Sequence, residues 1–168
     1  MKKINTELKE PVFLKIQSIS DDRGFLLPVT DDIEESLIRR SYIVEDYGRG
    51  VIRGLHYHKK EFKIFTIVSG AGKFITFNLP EALADRNDRE EIKKFAEKNP
   101  QSIRTFVMSS RHHGVLIIPP LYANGWISLE DHTILASLSN LIYEEAKDDD
   151  IRIDPMVIGE DYWRVIPR

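Results

Sequence analysis

The chain of 168 residues contains no cysteine, which excludes a disulfide framework and any chemistry of a thiolate. It also lacks an apolar run near the roughly 18 residues that a membrane span requires, so no transmembrane helix is expected. No apolar segment follows the opening Met1-Lys2-Lys3, so we expect no signal peptide and predict a cytoplasmic protein.

A surplus of basic charge is absent as well. Lys and Arg together number 24 and Asp and Glu number 27, which gives a formal net charge of −3. A balance so close to neutral offers no electrostatic reason to expect a nucleic-acid partner. Because we see neither an internal repeat nor a linker, we predict a single domain over residues 1–168 with a sizeable core.

The chain does contain many short apolar segments of strand length, rich in Val, Ile, Phe and Thr and separated by turn-forming or charged residues. Seven segments at such short spacing predict an all-β sandwich or barrel. They are residues 52–58, 62–69, 73–79, 103–108, 115–118, 126–129 and 133–139.

Three other segments depart from the strand pattern. Ile92, Phe95 and Ala96 have helical spacing, which predicts a helix over residues 89–98 that ends before the stop signal Asn99-Pro100. Residues 33–40 are predicted to form a shorter helix, with Asp31 or Asp32 as its N-cap. The acidic run of residues 148–150 is interpreted as a solvated turn without a function.

The most informative run is Gly54-Leu55-His56-Tyr57-His58, which is followed by Lys63 and Gly70. Side chains two residues apart on a strand point to the same face, so His56 and His58 should look into one space. The two imidazoles could form a metal site, an acid–base site or a pair of buried rings.

The spacing of this run is that of metal-binding cupins, which are double-stranded β-helices with the motifs G-x5-H-x-H-x(3,4)-E-x6-G and G-x5-P-x-G-x2-H. The position of the metal-binding Glu holds Lys63, and that of the last His holds Asn124. An ammonium has no lone pair to donate, and an amide binds transition metals weakly. We therefore expect neither a metal nor another cofactor, and we interpret Glu61 as a turn residue. A metal-binding cupin remains an alternative.

Without a metal, His56 and Lys63 still form a chemical pair. A neutral imidazole is a good general base near neutral pH. A lysine ammonium can stabilise the oxyanion that forms when a proton leaves the carbon beside a carbonyl. This pairing suits enolisation, which underlies both epimerisation and ketone migration.

Several motifs resemble those of dTDP-4-dehydrorhamnose 3,5-epimerases. The run Asp21-Asp22-Arg23-Gly24-Phe25 resembles their D-x-R-G-x-F, and the run from Gly50 to His56 resembles their G-V-x-R-G-L-H. Lys63 stands where the family has the Lys of its K-L-V strand. The segment from Ile118 to Trp126 is similar to I-P-x-G-x-A-H-G-F. The resemblance covers roughly residues 10–155.

The resemblance implies a metal-free cupin, or jelly-roll, barrel with one or two short helices, which forms a homodimer and binds neither nucleic acid nor membrane. Its substrate would be a nucleotide-diphosphate 4-keto sugar, epimerised at C3, C5 or both in deoxysugar biosynthesis for lipopolysaccharide or capsule. The implied catalytic residues are His56 as base, Lys63 as enolate stabiliser and Tyr143 as acid. Arg23 and Arg53 would hold the diphosphate.

Several departures from the family leave the substrate open. His58 replaces a Gln and Asn124 replaces a His, so we assign both to substrate binding. Asp161 is a candidate for the carboxylate that orients His56. The run from His56 to Lys59 also resembles sugar 3,4-ketoisomerases, which enolise their substrates too. A non-catalytic protein that binds sugar nucleotides is a further alternative, and neither the nucleotide nor the sugar is specified.

Overall fold

The computed structural model describes residues 3–165, which contain twelve β-strands, three α-helices and four short 3-10 helices. None of these helices is long and apolar enough to cross a bilayer. The strands are β1 (Val12–Lys15), β2 (Ile19–Asp21), β3 (Gly24–Leu26), β4 (Arg40–Asp46), β5 (Ile52–Tyr57), β6 (Lys63–Ser69), β7 (Ala71–Asn78), β8 (Ile103–Ser109), β9 (Gly114–Ile118), β10 (Tyr122–Ser128), β11 (Thr133–Ser139) and β12 (Ile151–Arg152). The α-helices are α1 (Glu81–Arg86), α2 (Arg89–Lys98) and α3 (Tyr143–Ala146), and the 3-10 helices are Glu35–Leu37, Pro100–Ser102, Pro155–Ile158 and Glu160–Trp163.

Two five-stranded antiparallel sheets dominate the architecture. The first sheet has the strand order β1-β9-β6-β11-β4, and the second has the order β12-β5-β10-β7-β8. Strands β2 and β3 form a separate hairpin. The prediction of an all-β fold with one or two short helices is confirmed in part, because the structure is mostly β but contains three α-helices.

All seven predicted strands are present, as β5 to β11, and the largest difference is that β10 begins at Tyr122 rather than at Trp126. Helix α2 has the predicted bounds. Its N-cap Asp88 accepts a hydrogen bond of 2.9 Å from the Glu91 backbone N–H, and Ile92 and Ala96 are buried. The N-cap residue and the buried apolar face are therefore both consistent with a helix over residues 89–98.

The predicted helix over residues 33–40 is wrong. The structure has a single 3-10 turn, Glu35–Leu37, preceded by Glu34 rather than by Asp31 or Asp32, and β4 begins at Arg40. All seven residues of β4 pair with β11, and this sheet pairing outweighs the local helical pattern. Helix α1 was not predicted either.

Among the described residues, three apolar clusters hold the structure together, and one of them packs Ile33 and Leu37 against β6 and β9. Two further clusters pack against the sheets. One lies between the sheets and includes Phe65, Phe74, Trp126 and Leu135. The other joins β5, β7 and β10 to the helices α1 and α2 and to the 3-10 helix Pro155–Ile158. Because Leu55 and Tyr57 belong to the second cluster, the alternate residues of β5 are free to face the interior between the sheets.

The backbones of the adjacent strands β5 and β10 approach each other very closely at Gly54 and Gly125. A Cβ atom added at Gly54 would lie 2.6 Å from the Cα of Gly125, and the φ of Gly54 is 122°. Near this close contact, Asn124 is paired with His56 but Trp126 is paired with Arg53. Strand β5 therefore contains an extra residue, a β-bulge. The bulge reverses the alternation of side chains along β5.

We predict that Gly54→Ala lowers the free energy of unfolding by at least about 2 kcal/mol, because the methyl group would meet backbone atoms and the backbone is left-handed. Denaturant unfolding monitored by tryptophan fluorescence measures the loss. Gly48→Ala is the matched control, since nothing lies within 4 Å of its added Cβ, and it should change stability by at most about 1 kcal/mol. Equal stability of Gly54→Ala and wild type would contradict the close approach of β5 and β10 at Gly54.

Candidate active site

A cavity of about 290 Å3 lies between the two sheets. Strands β4, β6 and β11 line it from one side, and β5 and β10 line it from the other. One part of the wall is apolar and consists of Val44, Phe65, Trp126 and Leu135. The remaining wall is rich in ionisable side chains, which makes this the candidate active site.

His56 and His58 both line this cavity, which confirms that they share one face. Their rings are nearly parallel, with an interplanar angle of 6° and centroids 6.4 Å apart. His56 is partly exposed, whereas His58 is buried. The two imidazoles therefore stand side by side at different depths.

A carboxylate holds the His56 ring in place. The His56 Nδ1 lies 2.8 Å from the Oδ1 of Asp150, which as an ionised carboxylate can only accept a hydrogen bond. The proton of a neutral His56 is thereby assigned to Nδ1, which leaves the lone pair on Nε2. Although burial disfavours its ionised form, the hydrogen bond and charge of His56 lower the pKa of Asp150 from 3.8 to about 2.

Sheet pairing explains why Asp150 reaches His56. Strand β12 pairs with β5 so that Arg152 lies opposite His56 and Ile151 lies opposite Tyr57. Asp150 directly precedes this pair and therefore enters the cavity beside the imidazole. The prediction that residues 148–150 form a solvated turn without a function is wrong for Asp150, because two strands far apart in sequence bring it to His56.

The carboxylate that orients His56 is therefore not Asp161. The Asp161 side chain is 77% exposed and pairs with Arg164 at 3.0 Å, in the C-terminal 3-10 turn. It does not line the cavity.

His58 is held by the loop that precedes β12. Its Nδ1 lies 2.9 Å from the backbone oxygen of Asp149 and 3.3 Å from the Oε2 of Glu61, so Nδ1 carries the proton. Burial and the nearby Lys63 ammonium lower the pKa of His58 below its ordinary 6.5, against the opposing effect of neighbouring carboxylates. His58 is therefore neutral at neutral pH. Its Nε2 is buried and has no hydrogen-bond partner among the residues described.

Glu61 lies between β5 and β6, as predicted for a turn residue, but it is a buried residue of the site. Its side chain has no exposed surface. Oε2 lies 2.8 Å from the Lys63 Nζ, and Oε1 accepts a hydrogen bond of 2.6 Å from the Ser139 hydroxyl. The Lys63 side chain is itself 11% exposed and lines the cavity, as predicted. Lys63, at the position that the cupin motif gives to Glu, thus forms a buried ion pair with Glu61.

Strand β4 contributes two cavity residues that were not predicted from the sequence. The hydroxyl of Tyr42 lies 3.4 Å from the Lys63 Nζ, and the Arg40 guanidinium lies 4.7 Å from the Tyr42 ring. Arg40, Tyr42 and Val44 all line the cavity and alternate along β4, a period that could have identified them. Tyr143 also lines the cavity, but it is 60% exposed at the start of α3, 5.2 Å from Arg40.

The remaining predicted site residues occupy different places. Arg53 lines the cavity because the bulge in β5 turns it to the same side as His56. Its Nε donates a hydrogen bond of 2.5 Å to the Oδ1 of the buried Asp46. Asn124 lines the cavity, and its amide donates a hydrogen bond of 3.1 Å to the His56 backbone carbonyl. Arg23 lies on the hairpin of β2 and β3, where it is 85% exposed, pairs with Asp21 and does not line this cavity.

The cavity wall carries a surplus of positive charge. Arg40, Arg53, Lys63 and Lys147 contribute four positive charges and Glu61 and Asp150 two negative ones, so the lining has a net charge of +2 when the histidines are neutral. This charge favours an anionic ligand. Within residues 3–165, no three His, Asp or Glu side chains are grouped so that they could hold a metal ion. The ammonium of Lys63 beside Glu61 also fits a divalent cation poorly.

The fold is similar to that of several solved sugar-nucleotide enzymes. The dTDP-4-dehydrorhamnose 3,5-epimerase from Bacillus anthracis, solved with TDP and PPi bound, is 21% identical with a TM-score of 0.65, over 89% of this chain and 81% of that one. A sugar 3,4-ketoisomerase from Thermoanaerobacterium thermosaccharolyticum, in complex with TDP, is 20% identical with a TM-score of 0.62, over 90% and 93%.

A third similar structure is a 3'-monoepimerase from Streptomyces bikiniensis in complex with dTDP-quinovose. It is 15% identical with a TM-score of 0.68, over 93% of this chain and 74% of that one. No protein-family model matches the chain, and no curated protein matches it. At these identities the structural likeness shows a shared fold.

We predict that stability falls as the pH is lowered below about 6.5, because the unfolded state then binds a proton at residue 58 that the folded state resists. This contribution is fully present above that pH and is lost below it, with a slope of up to about 1.4 kcal/mol per pH unit for one proton. Asp150 adds a second loss between its ordinary pKa of 3.8 and its folded pKa of about 2.

Urea unfolding from about pH 7.5 down to about pH 5 isolates the histidine contribution from that of Asp150. His58→Gln, whose amide can still donate to the Asp149 carbonyl, should flatten the slope in this range. His112→Gln, which removes an exposed imidazole in a turn, is the matched control and should keep the slope. A steep slope that persists in His58→Gln would contradict this explanation.

Proposed function

We propose that this protein is an isomerase that enolises a nucleotide-activated 4-keto sugar and epimerises it at C3, C5 or both, without a metal. The observation that carries the proposal is the His56–Asp150 pair, whose assigned tautomer presents Nε2 as a base inside a cavity that also contains Lys63. Removal of a proton beside a ketone needs a base and a partner for the enolate oxygen, and this cavity offers both.

The proposed proton transfer follows from the positions of the side chains. His56 Nε2 takes the proton from carbon, and the ionised Asp150 stabilises the imidazolium that forms. Lys63 faces the cavity from the opposite sheet and stabilises the charge on the enolate oxygen. Its pairing with Glu61 keeps it fixed in position when no ligand is bound, so the electrostatic partner is preorganised.

The proposed substrate class follows from the size and charge of the site. A cavity of about 290 Å3 suits one sugar ring with the rest of the nucleotide outside it. Arg40, Arg53 and Lys147 line the cavity and can bind a diphosphate by charge and by planar guanidinium donors. The solved structures of similar fold bound to TDP support a nucleotide carrier.

The proposal includes the finer fold and assembly that were predicted from the resemblance. We propose that the two sheets form a double-stranded β-helix of the cupin type and that the chain is a single domain. A homodimer, a cytoplasmic location and a role in lipopolysaccharide or capsule synthesis remain predictions. Arg23 remains a predicted diphosphate ligand, although it does not line the cavity of its own chain.

A 3,4-ketoisomerase is the second candidate, favoured by the parallel rings of His56 and His58. Moving a ketone between neighbouring carbons requires proton transfer at both carbon and oxygen. His56 can serve the carbon, and the unpartnered Nε2 of the neutral His58 can serve the oxygen. The solved ketoisomerase of similar fold is consistent with this candidate.

Proton exchange in deuterated water tests the proposal and separates the candidates. The protein is incubated with TDP-linked, GDP-linked and CDP-linked 4-keto-6-deoxy sugars, and the ring protons are followed by NMR. Deuterium at C3 or C5 with inverted configuration supports the epimerase, and a carbonyl that moves to C3 supports the ketoisomerase. Binding by calorimetry without any exchange would support a non-catalytic binding protein and overturn the proposal.

We predict that His56→Gln lowers the exchange rate by about 10²- to 10⁴-fold, because no other side chain replaces its base function. Asp150→Asn should also lower the rate, since an amide can present a donor to Nδ1 and favour the wrong tautomer. Asp161→Asn is the matched control and should exchange at the wild-type rate, because Asp161 lies outside the cavity. Full exchange in His56→Gln would remove this residue from the mechanism.

We predict that Tyr42 returns the proton at carbon, because it lies on the sheet opposite His56 and its hydroxyl is close to Lys63. Tyr42→Phe should keep deuterium exchange but lower formation of the epimer by about 10²-fold or more. Tyr143→Phe should have the smaller effect, because its ring is largely exposed. The reverse order of the two variants would restore the original assignment of Tyr143 as the acid.

A further inference from the structure

We propose that the Asp149 carboxylate is a positioning group that fixes both imidazoles of the site. Its hydrogen bonds join the loop before β12 to the turn after β5, and we call this set of hydrogen bonds the staple. The inference rests on the proposed function for its catalytic consequence, but its structural part stands independently. The loop is residues 147–150, and the turn is residues 59–61.

Three successive backbone N–H groups of the turn converge on this one carboxylate. The Lys59 N–H donates a hydrogen bond of 3.0 Å to the Asp149 Oδ1. The Lys60 N–H and the Glu61 N–H each donate a hydrogen bond of 2.9 Å to Oδ2. Successive N–H groups that point inward form a concave anion site, and hydrogen bonds to an ionised carboxylate are the stronger kind. The staple therefore joins segments that are almost ninety residues apart in sequence.

The two segments that Asp149 joins carry the groups that orient both histidines. The backbone oxygen of Asp149 accepts from His58 Nδ1, and the next residue, Asp150, accepts from His56 Nδ1. On the other side of the staple, the turn ends at Glu61, whose carboxylate is paired with Lys63. A shift of the loop would therefore disturb the base and the cation together.

The three consecutive aspartates have different positions, which provides a matched control. The Asp148 side chain is exposed and makes no hydrogen bond or ion pair within residues 3–165. Asp149 is half-buried and makes three hydrogen bonds to backbone. Asp148→Ala thus removes the same charge from the same loop without cutting the staple.

Loss of the staple should reduce turnover more than binding. We expect Asp149→Ala to lower kcat by about 10- to 100-fold, because a displacement near 1 Å can cost a factor of 100, while KM changes by no more than about threefold. Asp149→Asn keeps one acceptor oxygen and should lie between Asp149→Ala and wild type. Asp148→Ala should match wild type in both constants.

Nitrogen-15 NMR of the histidine side chains tests the staple without a substrate. In wild type, His56 and His58 should both show the Nδ1–H tautomer, and in Asp149→Ala both should show a mixture of tautomers. Hydrogen exchange at the N–H groups of Lys59, Lys60 and Glu61 should accelerate, while exchange in β7 should not. If Asp149→Ala does not fold, Asp149→Asn is compared with wild type by the same measurements.

Unchanged tautomers together with unchanged exchange in the folded Asp149 variants would overturn the staple. If no sugar nucleotide is turned over by the wild type, the proposed function fails, while the NMR outcome still decides the structural part. If tautomers change but kcat does not, the staple holds the rings without a catalytic consequence, and the positioning role is rejected.

Discussion

Glu61 carries a negative charge that has no contact with solvent, and the cavity is organised around its compensation. An unpaired buried carboxylate would cost several kcal/mol, so the Lys63 ammonium, the Ser139 hydroxyl and the His58 N–H surround it. Lys63 is thereby held at the cavity wall as a fixed positive charge. Burial is the largest cause that lowers the pKa of His58, and the Lys63 ammonium lowers it further because a second positive charge beside it is unfavourable. Burial and the Lys63 charge together thus favour the neutral form of His58, against the opposing effect of Glu61.

The geometry around this ion pair depends on backbone features that join both sheets. The bulge in β5 lets Arg53 and His56, three residues apart, share a face that strict alternation would deny them. The register of β12 on β5 then brings Asp150 to His56, with Asp149 anchored on the following turn. The close contact between Gly54 and the β10 backbone leaves no room for a side chain at the bulge. The side chains of the site are therefore positioned by backbone pairing between segments far apart in sequence.

Period and spacing in the sequence predicted the seven central strands, helix α2, and the shared face of His56 and His58. They could not predict Asp150, because the partner of His56 is set by a two-residue strand almost a hundred positions away. Glu61 was predicted between two strands, but its burial could not be predicted, because the pairing of β6 with β11 brings Lys63 and Ser139 to its carboxylate. The short strands β1 to β3 have weak local patterns, whereas β4 has seven alternating residues and was missed because residues 33–40 were predicted to be helical. Local signals thus located the elements, and long-range pairing determined which side chains meet.

The neutral state of His58 bears on which reaction the cavity can support. A protonated His58 would add a third charge to Lys63 and Glu61 and would offer a second strong acid on the face of the base. A neutral His58 with its proton directed to Asp149 instead presents an acceptor. Epimerisation needs a proton donor on the opposite face of the sugar, the role proposed for Tyr42, and would use His58 only as a hydrogen-bond acceptor. Ketone migration needs transfer at oxygen beside His56, so an acceptor there becomes part of the reaction. The choice between the two reactions thus depends on whether the His58 Nε2 accepts a proton from the sugar or only a hydrogen bond.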